Sequence, residues 1–227
     1  MSRLELITPE GLRVDGRRPK ETRRIYSRTD LLAADGSSYI EMGNTKLITT
    51  VYGPKESKNN NSNSIINVEF HLASFASGST AKKLRNDKKL MENSIAIRDI
   101  FESVLIKSFG RSEIDVFIQV LQSDGGVLAA AINGTCLALI DAGIPITDYV
   151  TACTAGYCNE QAILDLNYIE ESSEVPCLTV ALTPKNEKIL LMNMEHRLHL
   201  DNFDSVLSLA KTGCQTIYES LDECIRK

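Results

Sequence analysis

No window of this chain approaches the run of about eighteen apolar residues that a bilayer-spanning helix needs. Its opening stretch, MSRLELITPEGLRVDGRR, lacks the apolar core of a secretory signal, so the protein is expected to remain inside the cell, away from membranes. It has no C-x-x-C pair of the kind that marks a zinc or redox site. Aromatic residues make up 6% of the chain and form no aromatic-rich RNA motif, which argues against free-standing affinity for RNA. Positive charge does not prevail either: 25 Lys and Arg against 30 Asp and Glu leave a net charge of -5. A generally basic nucleic-acid binder is thereby excluded, and any RNA contact has to come from a local basic patch offset by acidic surface elsewhere.

What is present suits a globular protein. Hydrophobic residues make up 43% of 227, ample for a core, and the length admits one large domain or two small intertwined ones. The six cysteines, Cys136, Cys153, Cys158, Cys177, Cys214 and Cys224, lie within apolar or helical patterns and read as reduced, mostly buried thiols.

The stretch IDVFIQVLQSDGGVLAAAINGTCLALIDAGIP, residues 114–145, organises the rest. Ile114, Val116, Ile118 and Val120 alternate like one face of a strand. Asp124-Gly125-Gly126 makes a tight turn, and Leu128, Ile132, Cys136, Leu139 and Ala142 then recur at helical spacing up to Gly143 and Pro145. Two glycines allow backbone N–H groups to point out at the start of a helix, where the dipole favours an anion such as phosphate. The plainer reading is a tight connection, since a lone Gly-Gly turn is far less specific than the longer phosphate-loop motifs.

Around this element the chain reads as strands and helices with no dividing linker. The polar N-terminal segment, with Arg13, Arg17, Arg18, Arg23 and Arg24, reads as a solvated arm. Residues 37–42 and 46–52 alternate as a hairpin around Gly43-Asn44-Thr45, and 65–72 form a further strand. Between them KESKNNNSNS reads as a loop in which Lys55 and Lys58 are candidates for phosphate contact. The densest positive charge follows: Lys82, Lys83, Arg85, Lys88 and Lys89 precede and open a helix whose apolar face carries Leu90, Ile97, Phe101 and Leu105. Unpaired lysines gain little from the positive end of a helix dipole, so a phosphate partner would explain them; a solvated basic loop is the alternative. Residues 150–158 and 162–166 pair around Asn159-Glu160, 168–175 form an acidic connection, and 176–183 and 188–194 are two more strands. Asp201 is a candidate N-cap for a last helix with Val206, Leu209, Ala210, Gly213, Ile217 and Leu221 on its core face. The order predicts an α+β fold, one domain over 1–227 built of two pseudo-related halves, roughly 11–110 and 111–227.

Three tracts, LRVDGRR, GSSYIEMGNTK and LQSDGGVLAAAINGTCLALIDAGIP, resemble the RNase PH family: the phosphate-dependent exoribonucleases and their relatives in the RNA exosome ring. The resemblance runs from Gly11 to the last helix and is closer to the eukaryotic ring subunits, on MSRLELITPEGLRVDGRR and INGTCLALIDAGIPITDYVTACTAGYC. It implies the RNase PH-like fold, mixed sheets with packed helices, related to the second domain of ribosomal protein S5. It also implies that the N-terminal arginines serve subunit contacts or structural ion pairs rather than chemistry.

In active relatives the glycine turn is followed by a threonine and an arginine that grip phosphate, where this chain has Val127-Leu128. Such charge-assisted bonds are worth roughly 1.5–3 kcal/mol each. Active relatives also place two aspartates after the corresponding L-D-L strand; Glu171 and Cys177 match those positions, and a cysteine offers magnesium no hard oxygen. Glu170 and Glu174 fit a solvated acidic turn better than a replacement role. An arginine pair of active relatives corresponds to Lys88-Lys89, which keeps charge without the bidentate fork.

The resemblance therefore implies a non-catalytic ring subunit with no catalytic residue, metal or cofactor of its own, in which Lys82, Lys83, Arg85, Lys88 and Lys89 line an RNA channel. Implied partners are other RNase PH-like ring subunits, S1/KH cap subunits, a hydrolytic 3′-5′ exoribonuclease and single-stranded RNA. The implied setting is rRNA processing and RNA decay in nucleus, nucleolus and cytoplasm. The competing expectation is an active phosphate-dependent 3′-5′ exoribonuclease in which Glu171 and Lys88-Lys89 have taken over.

Overall fold

A computed structural model describes residues 6–8, 10–56, 64–76, 88–106, 112–173 and 175–226. Its strands are β1 (Ile25–Thr29), β2 (Gly36–Met42), β3 (Thr45–Glu56), β4 (Ile65–Leu72), β5 (Ser112–Gln122), β6 (Thr151–Cys158), β7 (Gln161–Leu164), β8 (Cys177–Thr183) and β9 (Lys188–Glu195). The helices are α1 (Lys88–Val104), α2 (Val127–Asp141), α3 (Tyr168–Ser172) and α4 (Leu200–Ile225). The fold is α+β, as the sequence predicts.

One sheet has the order β1-β2-β3-β5-β4 and the other β7-β6-β8-β9. All neighbours are antiparallel except β4 and β5, whose parallel pairing needs the long crossover that contains α1. The first sheet takes in β5, which lies beyond residue 110, so sheet membership does not divide the chain where the two expected halves meet. The alternating residues of the central strand, Ile114, Val116, Ile118 and Val120, are all buried.

Helix α2 lies between the sheets, against β2 and β3 on one side and β6 on the other, and is buried all along Ala129–Leu139. A helix apolar on every face belongs in such a place. Its one amide is satisfied: the Asn133 side chain donates to the Ala152 carbonyl at 2.9 Å and accepts from the Ala152 N–H at 2.8 Å, completing a pairing on β6. At Gly134 the sheet comes so near that a Cβ would lie 2.7 Å from the Leu47 side chain. There the Ser38 hydroxyl donates to the helix carbonyl at 2.7 Å. A single core spans both sheets, and all six cysteines are free, with Cys136, Cys153, Cys177 and Cys214 buried within it or in the smaller cluster beside it.

Three expectations need correction. The N-terminal segment is not a solvated arm, because Arg13 and Arg23 are buried. Arg13 donates from Nε to Glu170 at 2.7 Å and from its terminal nitrogens to Glu170 and to the carbonyls of Leu164 and Asp165. The acidic connection is likewise not simply solvated: α3 forms on a capping box between Asn167 and Glu170, and Glu170 is fully buried against Arg13. Glu174 lies outside the described residues. The last helix begins one residue before Asp201, with His199 as N-cap; Asp201 sits in the first turn, where its charge still complements the dipole. The six residues expected on the core face of α4 are buried as expected.

Candidate functional site

Strand β5 delivers the chain into a turn at Asp124-Gly125-Gly126, where φ is +77° at Gly125 and +62° at Gly126. A Cβ on Gly125 would meet the Leu166 carbonyl at 2.6 Å, so space as well as backbone conformation requires glycine there. Arg23 holds the turn from below. Its guanidinium donates to the Asp124 carbonyl at 2.6 Å and to the Asp165 carboxylate at 2.7 Å, while the Thr45 hydroxyl donates to the Gly125 carbonyl at 2.8 Å. The Gly126 N–H is turned to Glu171 instead, and Gly126 and the first turn of α2 line a cavity.

This cavity, of about 380 Å³, brings together elements from the whole chain. Val127 and Leu128 at the head of α2 form an apolar wall with Phe70, Leu72 and Leu90. Facing them are Glu171 on α3, Cys177 at the start of β8 and Lys89 in the first turn of α1. The positions singled out in the sequence as the altered phosphate grip and the altered carboxylate pair thus share one space. The sequence reading missed Glu195, at the end of β9, and Thr154, on β6. Glu195 stands opposite Cys177 in the β8–β9 register, which only the pairing of those strands reveals.

Lys89 is not an unpaired helix-terminal lysine. Its Nζ lies 3.2 Å from the Glu195 carboxylate. Burial works against its charge, but Glu195, with Glu171 behind it, more than offsets this and raises its pKa. Burial is also the largest influence on Glu171 and leaves its pKa raised, although Lys89 and the Gly126 N–H favour the charged form. The Cys177 thiol is pushed up to about 12, by burial first and then by the negative charge of Glu171 and Glu195. It is therefore neutral at physiological pH.

A magnesium ion of the kind the family's active members imply would need hard, ionised oxygen ligands. Here the second carboxylate position holds a protonated sulfur, and among the described residues no group of three His, Cys, Asp or Glu is placed to hold a metal. The residues present do not fit the ion.

Of the five basic residues expected to contact RNA, Lys88 and Lys89 open α1 with exposed side chains, and no acidic residue lies in that first turn. Both edge a groove between α1 and β9 that also includes Glu92 and Met192. Lys82, Lys83 and Arg85 lie outside the described residues, as does Lys58. Lys55 is engaged within the chain, 3.6 Å from Asp115 and above the Tyr52 ring.

Comparison with known proteins matches residues 21–145 to domain 1 of the 3′ exoribonuclease (RNase PH) family and residues 148–213 to its domain 2. The Arabidopsis thaliana exosome complex component RRP41 homolog is 41% identical over 99% of this chain and 95% of its own length. Human exosome complex component RRP41 is 40% identical over 100% and 96%, and Saccharomyces cerevisiae SKI6 is 39% identical over 100% and 95%. Among solved structures, rice Rrp46 superposes with a TM-score of 0.83 at 23% identity, covering 95% of this chain and 100% of that one. A chain of the Archaeoglobus fulgidus exosome with RNA bound to the active site superposes with a TM-score of 0.79 at 20% identity, covering 93% of each. These two likenesses concern the fold.

Proposed function

The chain belongs to the RNase PH 3′ exoribonuclease family, and on that premise we propose that it is a non-catalytic ring subunit of an RNA exosome core. Support for the ring comes from relatives named exosome complex components that match it at about 40% identity along their full length. Support for inertness comes from one observation: the cavity at the head of α2 pairs an apolar Val127-Leu128 wall with a neutral Cys177 thiol. Phosphorolysis needs an inorganic phosphate held against the last phosphodiester, with positive charge around it and a group to assist the leaving oxygen. Here a phosphate would meet two carboxylates, Glu171 and Glu195, a lysine already paired with one of them, and His196.

In this reading the fold is kept and the chemistry is supplied elsewhere. Single-stranded RNA passes from S1/KH cap subunits through the ring to a hydrolytic 3′-5′ exoribonuclease, in rRNA processing and RNA decay in nucleus, nucleolus and cytoplasm. Lys88 and Lys89 contribute to one arc of the channel and hold the RNA backbone without regard to sequence. Lysine suits that work, because it offers a mobile point charge rather than a fixed fork.

The test is reconstitution of the ring with its RNase PH-like neighbours, followed by nuclease protection of a long single-stranded RNA. Lys88→Glu and the Lys88→Glu/Lys89→Glu double variant are expected to assemble and to shorten or abolish the protected length. Unchanged protection in an intact ring would remove the channel role.

A further inference from the structure

We propose that the outer face of the five-stranded sheet docks a second copy of this chain, Arg28 of each copy meeting Glu69 of the other across a field of aromatic side chains. This contact concerns the chain apart from any ring and does not depend on the ring reading. Helices α1 and α2 pack on the inner face, where Ile40, Leu47, Val51, Ile114 and Ile118 are buried in the core. Alternate positions of the same strands point the other way. There Tyr26, Tyr39, Ile48, Tyr52 and Phe117 stand exposed or half-buried, and none of them joins the core. Tyr26 and Tyr39 meet edge to face at 6.5 Å, and Tyr52 and Phe117 at 5.8 Å. Among the described elements none packs over this field.

The flanking charges identify the occupant. Strand β1, at one edge of the sheet, carries Arg28, which is exposed and has no ion-pair partner among the described residues. Towards the other edge, outer positions of β5 and β4 carry Glu113, Asp115 and Glu69, against Lys55 at 3.6 Å from Asp115 and His71 at 3.1 Å from Glu69. Between the two sides, Glu41 and Lys46 lie 3.5 Å apart and offset each other. A basic edge and an acidic edge about an apolar middle complement the same face turned over. The strand register gives the fit. Arg28, Tyr39, Ile48 and Gln119 lie in one row across β1, β2, β3 and β5, and Phe117 and Glu69 lie in the next. A two-fold axis between the faces, running along β3, sets Ile48 against its own copy. With the sheets crossed by about 30°, it also brings Tyr39 towards Phe117 and Arg28 towards Glu69. Single-stranded RNA also stacks on aromatic rings, but its phosphates would meet the acidic edge here. Aromatic residues within a rim of charged ones are the make-up of a protein interface.

The experiment is sedimentation equilibrium of the full chain over a concentration series. A reversible monomer–dimer equilibrium is expected, and Ile48→Asp, which sets two carboxylates against each other on the axis, should abolish it. Arg28→Glu and Glu69→Arg should each weaken it at least tenfold, because each places like charges at both symmetric contacts. Mixing those two variants should give a heterodimer at least tenfold tighter than either forms alone, since both contacts regain opposite charges. Thermal melts matching the parent's establish that the variants fold. A chain monomeric at every concentration, a dimer indifferent to Ile48→Asp, or no gain on mixing would overturn the assignment. Single-stranded RNA binding that Tyr39→Ala abolishes, without self-association, would give the face to RNA instead. A monomeric chain whose ring assembly fails with Ile48→Asp would give it to a different subunit.

Discussion

Cys177 and Glu195 stand opposite each other across β8 and β9, and both line the cavity at the head of α2. The pair explains why Cys177 behaves as an inert filler. Buried and beside negative charge, its thiol stays protonated and offers neither a nucleophile nor a metal ligand.

The same surroundings make Glu171 a source of instability at neutral pH. Its folded pKa is raised above the unfolded value, with burial as the largest cause. A carboxylate shifted in that direction favours the fold below its unfolded pKa, and the benefit is lost as pH rises through the folded pKa. Glu171→Gln is therefore expected to raise the melting temperature at pH 7.5. The difference from the parent should shrink as pH falls towards the ordinary carboxylate range. Thermal melts across pH 4.5–8 check this, and a variant less stable than the parent at pH 7.5 would contradict it.

Arg13 and Glu170 form a fully buried ion pair that ties the N-terminal segment to α3. Removing one partner leaves an uncompensated charge, so Arg13→Met is expected to cost about 3–5 kcal/mol in urea unfolding. The double variant Arg13→Met/Glu170→Met should cost clearly less than Arg13→Met alone, because no orphan charge remains. Equal losses in the two would point to lost packing instead.

Gly126 takes a left-handed conformation, and a Cβ there would lie 3.0 Å from the Arg23 guanidinium. Gly126→Ala is expected to destabilise by about 1–2 kcal/mol, as for other L-residues forced into this region. Chemical denaturation measures it, and a loss below about 0.3 kcal/mol would show that the turn relaxes freely.

Much of this was legible before the structure. The period-two run in β5 and the dense apolar helix that follows are signals that every residue of a local window repeats, and both elements form there. The positions of Val127, Leu128, Glu171 and Cys177 were matched from the sequence, and the fold does gather them. What stayed hidden depends on distant partners. Glu170 sits in an acidic tract that reads as solvated, and only Arg13, 157 positions away, buries it. Lys89 reads as an unpaired cation until β9 brings Glu195 beside it. Asp201 and His199 are two residues apart, and a choice of N-cap at that spacing lies within the uncertainty of any helix boundary.

The most direct measurement is a phosphorolysis assay on the purified chain, alone and in the reconstituted ring, with single-stranded RNA, magnesium and inorganic phosphate, reading nucleoside diphosphates. With assembly intact, no diphosphate above the protein-free control is expected, as the Val127-Leu128 wall and the neutral Cys177 require. Phosphate-dependent release of diphosphates that Glu171→Gln abolishes would contradict the account and make this cavity a working active site.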